Sequence, residues 1–246
     1  MPYSVPQPAR VTVAACTFRR PRGLQNLLQG LAGQSVLDDE NIHMDILIVD
    51  NEGSDRSRDI CQAFSREQAG IPLRYRVEQR RGISHARNTV LDNIDDDCDF
   101  VAMVDDDEVP EPDWVEQLLA AQRQTGAQVI RGPIYPVFGE NAPEWIQSQG
   151  YFGWPGRKSG FREGQSLDFA STDNTLVQWS CVRQTGVRFE AELAFTGGED
   201  SVFFQRLYQA GNRIAFTWKA VVHEDIPDQR TRVPALLRMN YHHGVN

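Results

Sequence analysis

The sequence has no apolar run close to the roughly 18 residues that a membrane-spanning helix needs, and its mean hydropathy is −0.47. The N-terminal MPYSVPQPAR contains no apolar stretch typical of a signal peptide. Only four of the 246 residues are cysteines, and they form no CxxC pair. These absences exclude a zinc finger and favour reduced thiols in a cytoplasmic protein.

Basic residues are also in short supply. The chain has 25 lysines and arginines against 34 aspartates and glutamates, which gives a net charge of −9. Because binding to phosphate backbones needs a basic surface, nucleic acid is excluded as the main partner. The remaining composition, 40% hydrophobic and 24% charged, is ordinary for a globular protein, and the length fits one α/β domain.

Strands and helices alternate in the first half of the sequence. In residues 21–33, Leu24, Leu27, Leu28 and Leu31 recur at helical spacing and give one apolar face. A second helix, capped by Ser54 or Asp55, runs to about residue 67, and others are predicted at residues 84–93 and 112–125. The predicted strands are residues 10–17, 44–50, 73–78, 100–104 and 128–134. This alternation indicates a mostly parallel, doubly wound sheet.

The second half is less regular. Residues 141–164 are rich in glycine, proline and aromatics and predict a long loop, followed by a strand at 167–177, a helix at 199–210 and a strand at 214–222. We find no interdomain linker, and so expect a single domain over residues 1–246. A nucleotide-type half is expected at about 10–110, a substrate half at about 111–225 and a C-terminal tail at 226–246.

Four polar clusters follow predicted strands of the first half. They are TFRR at residues 17–20, DN at 50–51, QRRG at 79–82 and DDD at 105–107. Because ligands bind beyond the carboxyl ends of the strands in an open parallel sheet, these clusters predict the active site.

The triplet of Asp105, Asp106 and Asp107 is the sharpest signal among them. Adjacent carboxylates repel unless a cation neutralises them, and their hard oxygens suit Mg²⁺ or Mn²⁺ shared with a diphosphate. A solvated acidic turn is the alternative, and we assign the second triplet at 95–97 to that class. GxxxxGK[ST] and GxGxxG are both absent, which leaves a diphosphate held by metal and arginines.

Two further groups have open roles. Glu199 and Asp200 follow a pair of glycines at the start of a predicted helix, where they could act as a general base or simply as a helix cap. His223 ends a predicted strand and could be a metal ligand, a phosphate partner or a surface histidine.

The ordered set of motifs resembles the family 2 glycosyltransferases of the GT-A fold, over residues 11–223. It comprises TFRR (17–20), IVDN (48–51), GISHARN (82–88), VDDDE (104–108), Asn174, GED (198–200) and His223. The segments at 195–200 and 227–230 are similar to bacterial exopolysaccharide glycosyltransferases of the succinoglycan type. The resemblance implies an α/β, Rossmann-like, mostly parallel sheet flanked by helices, in one domain with a C-terminal acceptor-binding half.

For the donor, the resemblance implies a nucleotide-sugar, in particular a UDP-sugar. The first loop would contact nucleobase and ribose, and Asp50 would accept a hydrogen bond from the base. Many relatives have asparagine where Arg80 stands, and this added positive charge implies that Arg80 or Arg81 assists the diphosphate. The implied nucleotide-sugar-binding residues are Thr17, Phe18, Arg19, Asp50, Arg81, Arg87, Asp105 and Asp106.

For metal and chemistry, the resemblance implies that Mg²⁺ or Mn²⁺ binds Asp107, with His223 completing the metal or diphosphate site. Asp200 would be the catalytic base, and Glu199 would bind the acceptor or orient Asp200. Residues implied to bind the acceptor are Trp154, Asn174 and Gly198. Packing under the long loop is the alternative for Trp154 and the aromatics near it.

The QxxRW motif of processive synthases is absent, which favours the transfer of one sugar at a time. The implied acceptor is a saccharide or a lipid-linked saccharide. The expected location is the cytoplasm, with peripheral association at the inner face of the membrane left open. Two rival interpretations remain: an inactive relative that binds carbohydrate or nucleotide, and a nucleotidyltransferase.

Overall fold

The computed structural model describes residues 8–155 and 160–237, in which strands and helices alternate. The strands are β1 (Ala9–Thr17), β2 (Ile42–Asp50), β3 (Leu73–Val77), β4 (Phe100–Met103), β5 (Glu108–Pro110), β6 (Val129–Arg131), β7 (Ile134–Phe138), β8 (Ser166–Leu167), β9 (Thr175–Gln178), β10 (Ile214–Phe216) and β11 (Val222–Ile226). The α-helices are α1 (Pro21–Ala32), α2 (Asp55–Glu67), α3 (Ile83–Asp92), α4 (Trp114–Thr125), α5 (Glu144–Gln149), α6 (Trp179–Thr185) and α7 (Glu199–Gln209).

The large sheet has eight strands in the order β3-β2-β1-β4-β9-β6-β10-β8. Strands β3, β2, β1 and β4 run parallel to one another. Strand β9 lies between β4 and β6 and is antiparallel to both. Consequently the start of β9 meets the carboxyl ends of the parallel strands. A second, three-stranded sheet has the order β5-β11-β7.

Helices cover both faces of the large sheet, as expected from the sequence. Apolar side chains of α1, α2 and α4 form one core cluster with the sheet, and those of α3, α6 and α7 form another. The four leucines of α1, whose spacing predicted its apolar face, are all buried. The mostly parallel sheet flanked by helices is confirmed.

Three predicted strands are divided in the structure. The prediction over residues 128–134 is wrong because Gly132 and Pro133 separate β6 from β7, which belong to different sheets. A Cβ at Gly132 would lie 2.1 Å from the Ala220 carbonyl oxygen, so only glycine fits this close crossing. The predictions at 167–177 and 214–222 each join parts of two strands that irregular segments separate.

The expected loop and tail both contain ordered packing. Helix α5 lies within residues 141–164, although residues 156–159 of that loop fall outside the described chain. Leu236, in the predicted tail, is buried with Ile146, Phe152 and Ile226. Over the described residues no helix is long and apolar enough to cross a membrane.

Candidate active site

A cleft of about 550 Å³ opens at the carboxyl ends of β1, β2 and β4. The first loop, the β3–α3 loop, the acidic triplet and the loop before α7 all contribute to its walls. The residues lining it are Cys16, Thr17, Phe18, Arg20, Asn51, Arg81, Gly82, Ile83, Ala86, Arg87, Asp105, Asp106, Ala194 and Phe195. Six predicted site residues therefore line the cleft: Thr17, Phe18, Arg81, Arg87, Asp105 and Asp106. A seventh, Glu199, lies next to the cleft because it pairs with Arg87.

Asp106 lies at the floor of the cleft and is 3% exposed. It accepts hydrogen bonds from the Thr17 hydroxyl at 2.7 Å and from Arg20 at 2.8 Å. Burial raises the pKa of Asp106 to about 6, and the nearby Arg20 opposes this rise. A buried carboxylate with two donors fixes the tip of β4 against the end of β1.

Asp107 has two arginine partners. Its Oδ2 atom lies 2.9 Å from Arg20 and 3.5 Å from Arg230. Neither arginine was predicted as a site residue. Arg20 belongs to the polar cluster at residues 17–20, which follows the first predicted strand. Positive charge therefore already surrounds the acidic triplet where a diphosphate is expected.

Arg87, on the first turns of α3, joins the two halves of the site. Its guanidinium pairs with Glu199 and lies 3.6 Å from Asp105. Glu199 is 3% exposed, and burial raises its pKa while Arg87 lowers it. This buried pair fixes the start of α7 beside the acidic triplet.

Asp200 differs from its neighbour Glu199 because its carboxylate is unpaired. It is half-buried, accepts a hydrogen bond from the Ser201 amide at 2.7 Å, and makes no ion pair with any described residue. Gly197 and Gly198 both have left-handed backbones, with φ of 82° and 84°, and turn the chain into α7. Asp200 therefore lies in the first turn of α7.

The β3–α3 loop separates the roles of two arginines. Arg80 is held by Glu78, through contacts of 3.0 and 3.1 Å, while Arg81 lines the cleft. The Arg81 guanidinium carbon lies 5.7 Å from the centre of the Phe18 ring. Arg19 pairs with Glu52 at 2.7 Å and is not among the residues that line the cleft.

The expected contact between Asp50 and the nucleobase stays a prediction, and the structure gives Asp50 partners within the protein. Asp50 is 0% exposed, and both of its carboxylate oxygens are occupied. They accept hydrogen bonds from the amides of Glu52 and Ser54 at 2.8 and 3.0 Å and from the Tyr75 hydroxyl at 2.7 Å. Asp50 therefore shapes the loop between β2 and α2.

The role of His223 at the metal or diphosphate site stays a prediction, and the structure gives this side chain a protein partner. Its Nε2 atom lies 2.6 Å from Glu111. Side chains alternate along β11, so the next residue, Glu224, lies on the other face, where it pairs with Arg230 at 2.6 Å. Arg230 in turn contacts Asp107, which makes Glu224 the strand residue linked to the acidic triplet.

Asn174 is not placed to touch an acceptor. It is 0% exposed, donates hydrogen bonds to the carbonyls of Pro133 and Ala220 and accepts one from the Trp114 indole, each at 2.7 Å. Its φ of 51° is one of the left-handed conformations that asparagine tolerates. Asn174 therefore joins β9, α4 and the crossing before β7.

Trp154 is partly buried and packs against other aromatic rings, while its contact with an acceptor stays a prediction. The Arg131 guanidinium carbon lies 3.4 Å from the centre of one of its rings. The rings of Phe161, Phe169 and Phe216 lie within 5.7 Å of it. For Gly198, the structure gives a backbone role at the start of α7, and its contact with an acceptor stays a prediction.

The acidic triplet offers the ligands that a divalent metal prefers. No three His, Cys, Asp or Glu side chains within residues 8–155 and 160–237 are arranged to hold a metal by themselves. Mg²⁺ at nucleotide sites is held by one or two carboxylates, with phosphate oxygens and water completing the shell. Asp107 and Asp105 suit a site of this kind, in which the nucleotide supplies some of the ligands of the metal. The described residues do not suit a site made of protein ligands alone.

Comparison with known proteins defines the family. Residues 12–184 match the family model Glycosyl transferase family 2, and the chain belongs to this family. It is 32% identical over 238 residues to the succinoglycan biosynthesis protein ExoM of Rhizobium meliloti, covering 95% of this chain and 72% of that protein. It is 24% identical over 247 residues to the glucosyl-dolichyl phosphate glucuronosyltransferase of Haloferax volcanii, covering 96% of this chain and 76% of that protein.

Solved structures support the same fold. TarS of S. aureus superposes with a TM-score of 0.68 at 17% identity over 88% of this chain and 37% of that chain. A shorter form, TarS 1–349 in complex with UDP, gives the same TM-score and is covered over 60% of its length. The protein is a glycosyltransferase with the GT-A fold.

Proposed function

We propose that this protein transfers a single sugar from a UDP-sugar to a saccharide or lipid-linked saccharide acceptor, with inversion and with Mg²⁺ or Mn²⁺. The pathway would be exopolysaccharide or cell-envelope synthesis, as the name of the Rhizobium relative suggests. A complex of TarS with UDP-GlcNAc supports the class of donor. The observation that carries the proposal is the carboxylate of Asp200, which makes no ion pair with a described residue and directly follows Glu199 of the Arg87–Glu199 pair.

The donor is proposed to lie along the cleft. Phe18 and Arg81 line the end nearest the β3–α3 loop and suit a flat, π-rich nucleoside. Arg20 and Arg87 stand beside the acidic triplet and suit a diphosphate, because guanidinium groups bind phosphate oxygens in pairs.

The acidic triplet would hold a divalent ion together with the diphosphate of the donor. Asp107 would hold it directly, and Asp105 would hold it directly or through a water. When bound, the ion supplies positive charge that stabilises the departing diphosphate. Arg20 and Arg230 both contact Asp107. They would supply further positive charge beside the oxygens of the departing diphosphate.

Asp200 is proposed as the general base. It takes the proton from an acceptor hydroxyl, whose oxygen attacks the anomeric carbon from the face opposite the diphosphate. The new glycosidic bond forms as the bond to the phosphate oxygen breaks, and the bond electrons leave with UDP. One displacement of this kind inverts the configuration. Glu199, which is tied to Arg87, holds Asp200 in place.

The acceptor and the location follow from the same proposal. A lipid-linked acceptor would bring the protein to the inner face of the membrane by peripheral association, with the bulk of the protein in the cytoplasm. The relative from Haloferax carries a dolichyl phosphate lipid in its name, which supports this type of acceptor. The absence of a QxxRW motif supports the transfer of one sugar.

Calorimetry with UDP, with and without MnCl₂, tests the proposal. We expect UDP to bind and to bind more tightly with Mn²⁺, and a set of nucleotide-sugars to show slow hydrolysis of the true donor. Binding of free sugar without binding of UDP would identify a carbohydrate-binding relative. Release of pyrophosphate from a nucleoside triphosphate would instead identify a nucleotidyltransferase.

A further inference from the structure

Phe195, in the loop before α7, has the highest exposed fraction of any large apolar side chain in the described parts of the chain, at 79%. Single exposed apolar residues are ordinary on protein surfaces. Phe195, however, lines the same cleft as Phe18 and Arg81, which already form a cation–π contact. Two aromatic rings and a guanidinium thus line the same cleft.

The backbone that carries Phe195 is anchored against the β3–α3 loop. The carbonyl of the preceding residue, Ala194, accepts a hydrogen bond from the Ile83 amide at 3.1 Å. A Cβ at Gly82 would lie 2.5 Å from the Ala194 Cβ, and Gly82 has a φ of 123° that favours glycine. The two loops are therefore in direct contact, and the backbone next to Phe195 is anchored in the structure without a ligand.

The direction of the chain shows which end of the cleft Phe195 occupies. From Ala194 beside Gly82, the chain runs to Glu199, which pairs with Arg87 near Asp105. The carboxylates and Arg87 lie at the later end of this stretch, where the diphosphate is proposed. Phe195 belongs to the earlier end, where the neighbouring cleft residues Phe18 and Arg81 present π and cationic groups.

We propose that Phe195 is a nucleobase-binding residue, whose ring stacks on the base of the donor. This inference rests on the proposed function and assigns to the acceptor half of the chain a contact with the base that was expected only in the first half, from the first loop and Asp50. An exposed ring on an anchored loop suits this role because little conformational entropy is lost on binding. Since Phe195 and Asp200 belong to one short segment, a base stacked there would also hold the segment that carries the catalytic carboxylate.

The test compares Phe195→Ala, Phe195→Leu and Phe195→Trp by calorimetry with UDP and with pyrophosphate, both with MnCl₂. Loss of base stacking should weaken UDP binding by about tenfold in Phe195→Ala, with pyrophosphate binding unchanged. Phe195→Trp should retain the affinity for UDP, and Phe195→Leu should not. Tyr208→Ala removes another exposed aromatic, on the outer side of α7, and should bind UDP as the wild type does.

The inference is overturned if Phe195→Ala binds UDP like the wild type, or if Phe195→Leu does. It is also overturned if Phe195→Ala loses affinity for UDP and for pyrophosphate by the same factor, because that result would mean that the loop itself has moved. A variant in which only the KM for the acceptor rises would overturn it as well. Failure of the wild type to bind UDP would reject the proposed function itself, and this outcome is distinct because it appears before any variant is compared.

Discussion

Partners distinguish the carboxylates around the cleft, although the sequence presents them as similar acids. Asp106 is buried between Thr17 and Arg20, and Glu199 is buried against Arg87. Asp200 has no cationic partner among the described residues, and Asp107 has two. A carboxylate without a cationic partner is the better proton acceptor, which favours Asp200 for the role of base.

Replacing Asp200 with asparagine tests that assignment. We expect Asp200→Asn to lower kcat by about 10²–10⁴-fold, because the base is removed while the side chain keeps its size. The Kd for UDP with Mn²⁺ should not change, since the carboxylate is not proposed to touch the nucleotide. Asp59→Asn, an exposed change on α2, serves as the control. Transfer by Asp200→Asn at the wild-type rate would reject Asp200 as the base.

Asn174 predicts an effect on stability. Its removal in Asn174→Ala leaves the Trp114 indole and two carbonyls without their partner, so we expect unfolding to become easier by about 2–4 kcal/mol. Asn174→Gly suits the positive φ and should be equally poor if the hydrogen bonds, and not the backbone, dominate. Denaturant unfolding measures both. The exposed Asn41→Ala should change stability by less than about 0.5 kcal/mol, and an equal loss there would contradict the argument.

At the scale of elements, the connection between β3 and α3 depends on Glu78. Contacts with Arg80 and Thr89 hold the pKa of Glu78 at about 2, below the ordinary value of 4.5. A lowered pKa in the folded state means that Glu78 stabilises the fold above pH 4.5 and that this contribution is lost as the pH falls toward 2.

We therefore expect Glu78→Gln to be less stable than the wild type at neutral pH, with a difference that shrinks as the pH falls below 4.5. Urea unfolding at a series of pH values measures this difference. Glu67→Gln, an exposed change at the end of α2, should follow the wild-type pH dependence throughout. A difference for Glu78→Gln that is constant with pH would contradict the role of the ionised carboxylate.

Apart from the short strand β5, which was not predicted, the strands and α-helices from β1 to α4 could be predicted from the sequence because each has its own hydrophobic period and is bounded by polar residues. The later strands could not, because apolar residues continue across Gly132 and Pro133 while the chain passes from one sheet to the other. The site followed the same rule. The polar residues at the ends of β1 and β4 could be predicted as site residues. Which of His223 and Glu224 points toward the acidic triplet depends on how β11 pairs with β5 and β7, and the sequence does not show this pairing.

At the scale of the whole molecule, ligands should stabilise the fold together. At 100 times its Kd, a ligand adds about 2.7 kcal/mol to stability, which for a chain of this size raises Tm by about 5–10 °C. We expect UDP and Mn²⁺ together to raise Tm by more than the sum of their separate effects. Differential scanning fluorimetry measures this, and Asp107→Ala should remove the synergy. Purely additive shifts in the wild type would contradict a shared metal–diphosphate site.

The antiparallel strand in the middle of the large sheet has a consequence for biosynthesis. Strands β1 to β4 leave the ribosome early, yet the open edge of β4 pairs with β9, which follows α4 and the whole loop region. Until residue 178 has emerged, the edge of β4 in the nascent chain has no partner strand. The apolar side chains beside it, which are buried in the folded protein, are then still exposed. Such edges recruit other chains. Fragments that stop before β9 should therefore aggregate during expression, whereas the chain described here closes that edge internally.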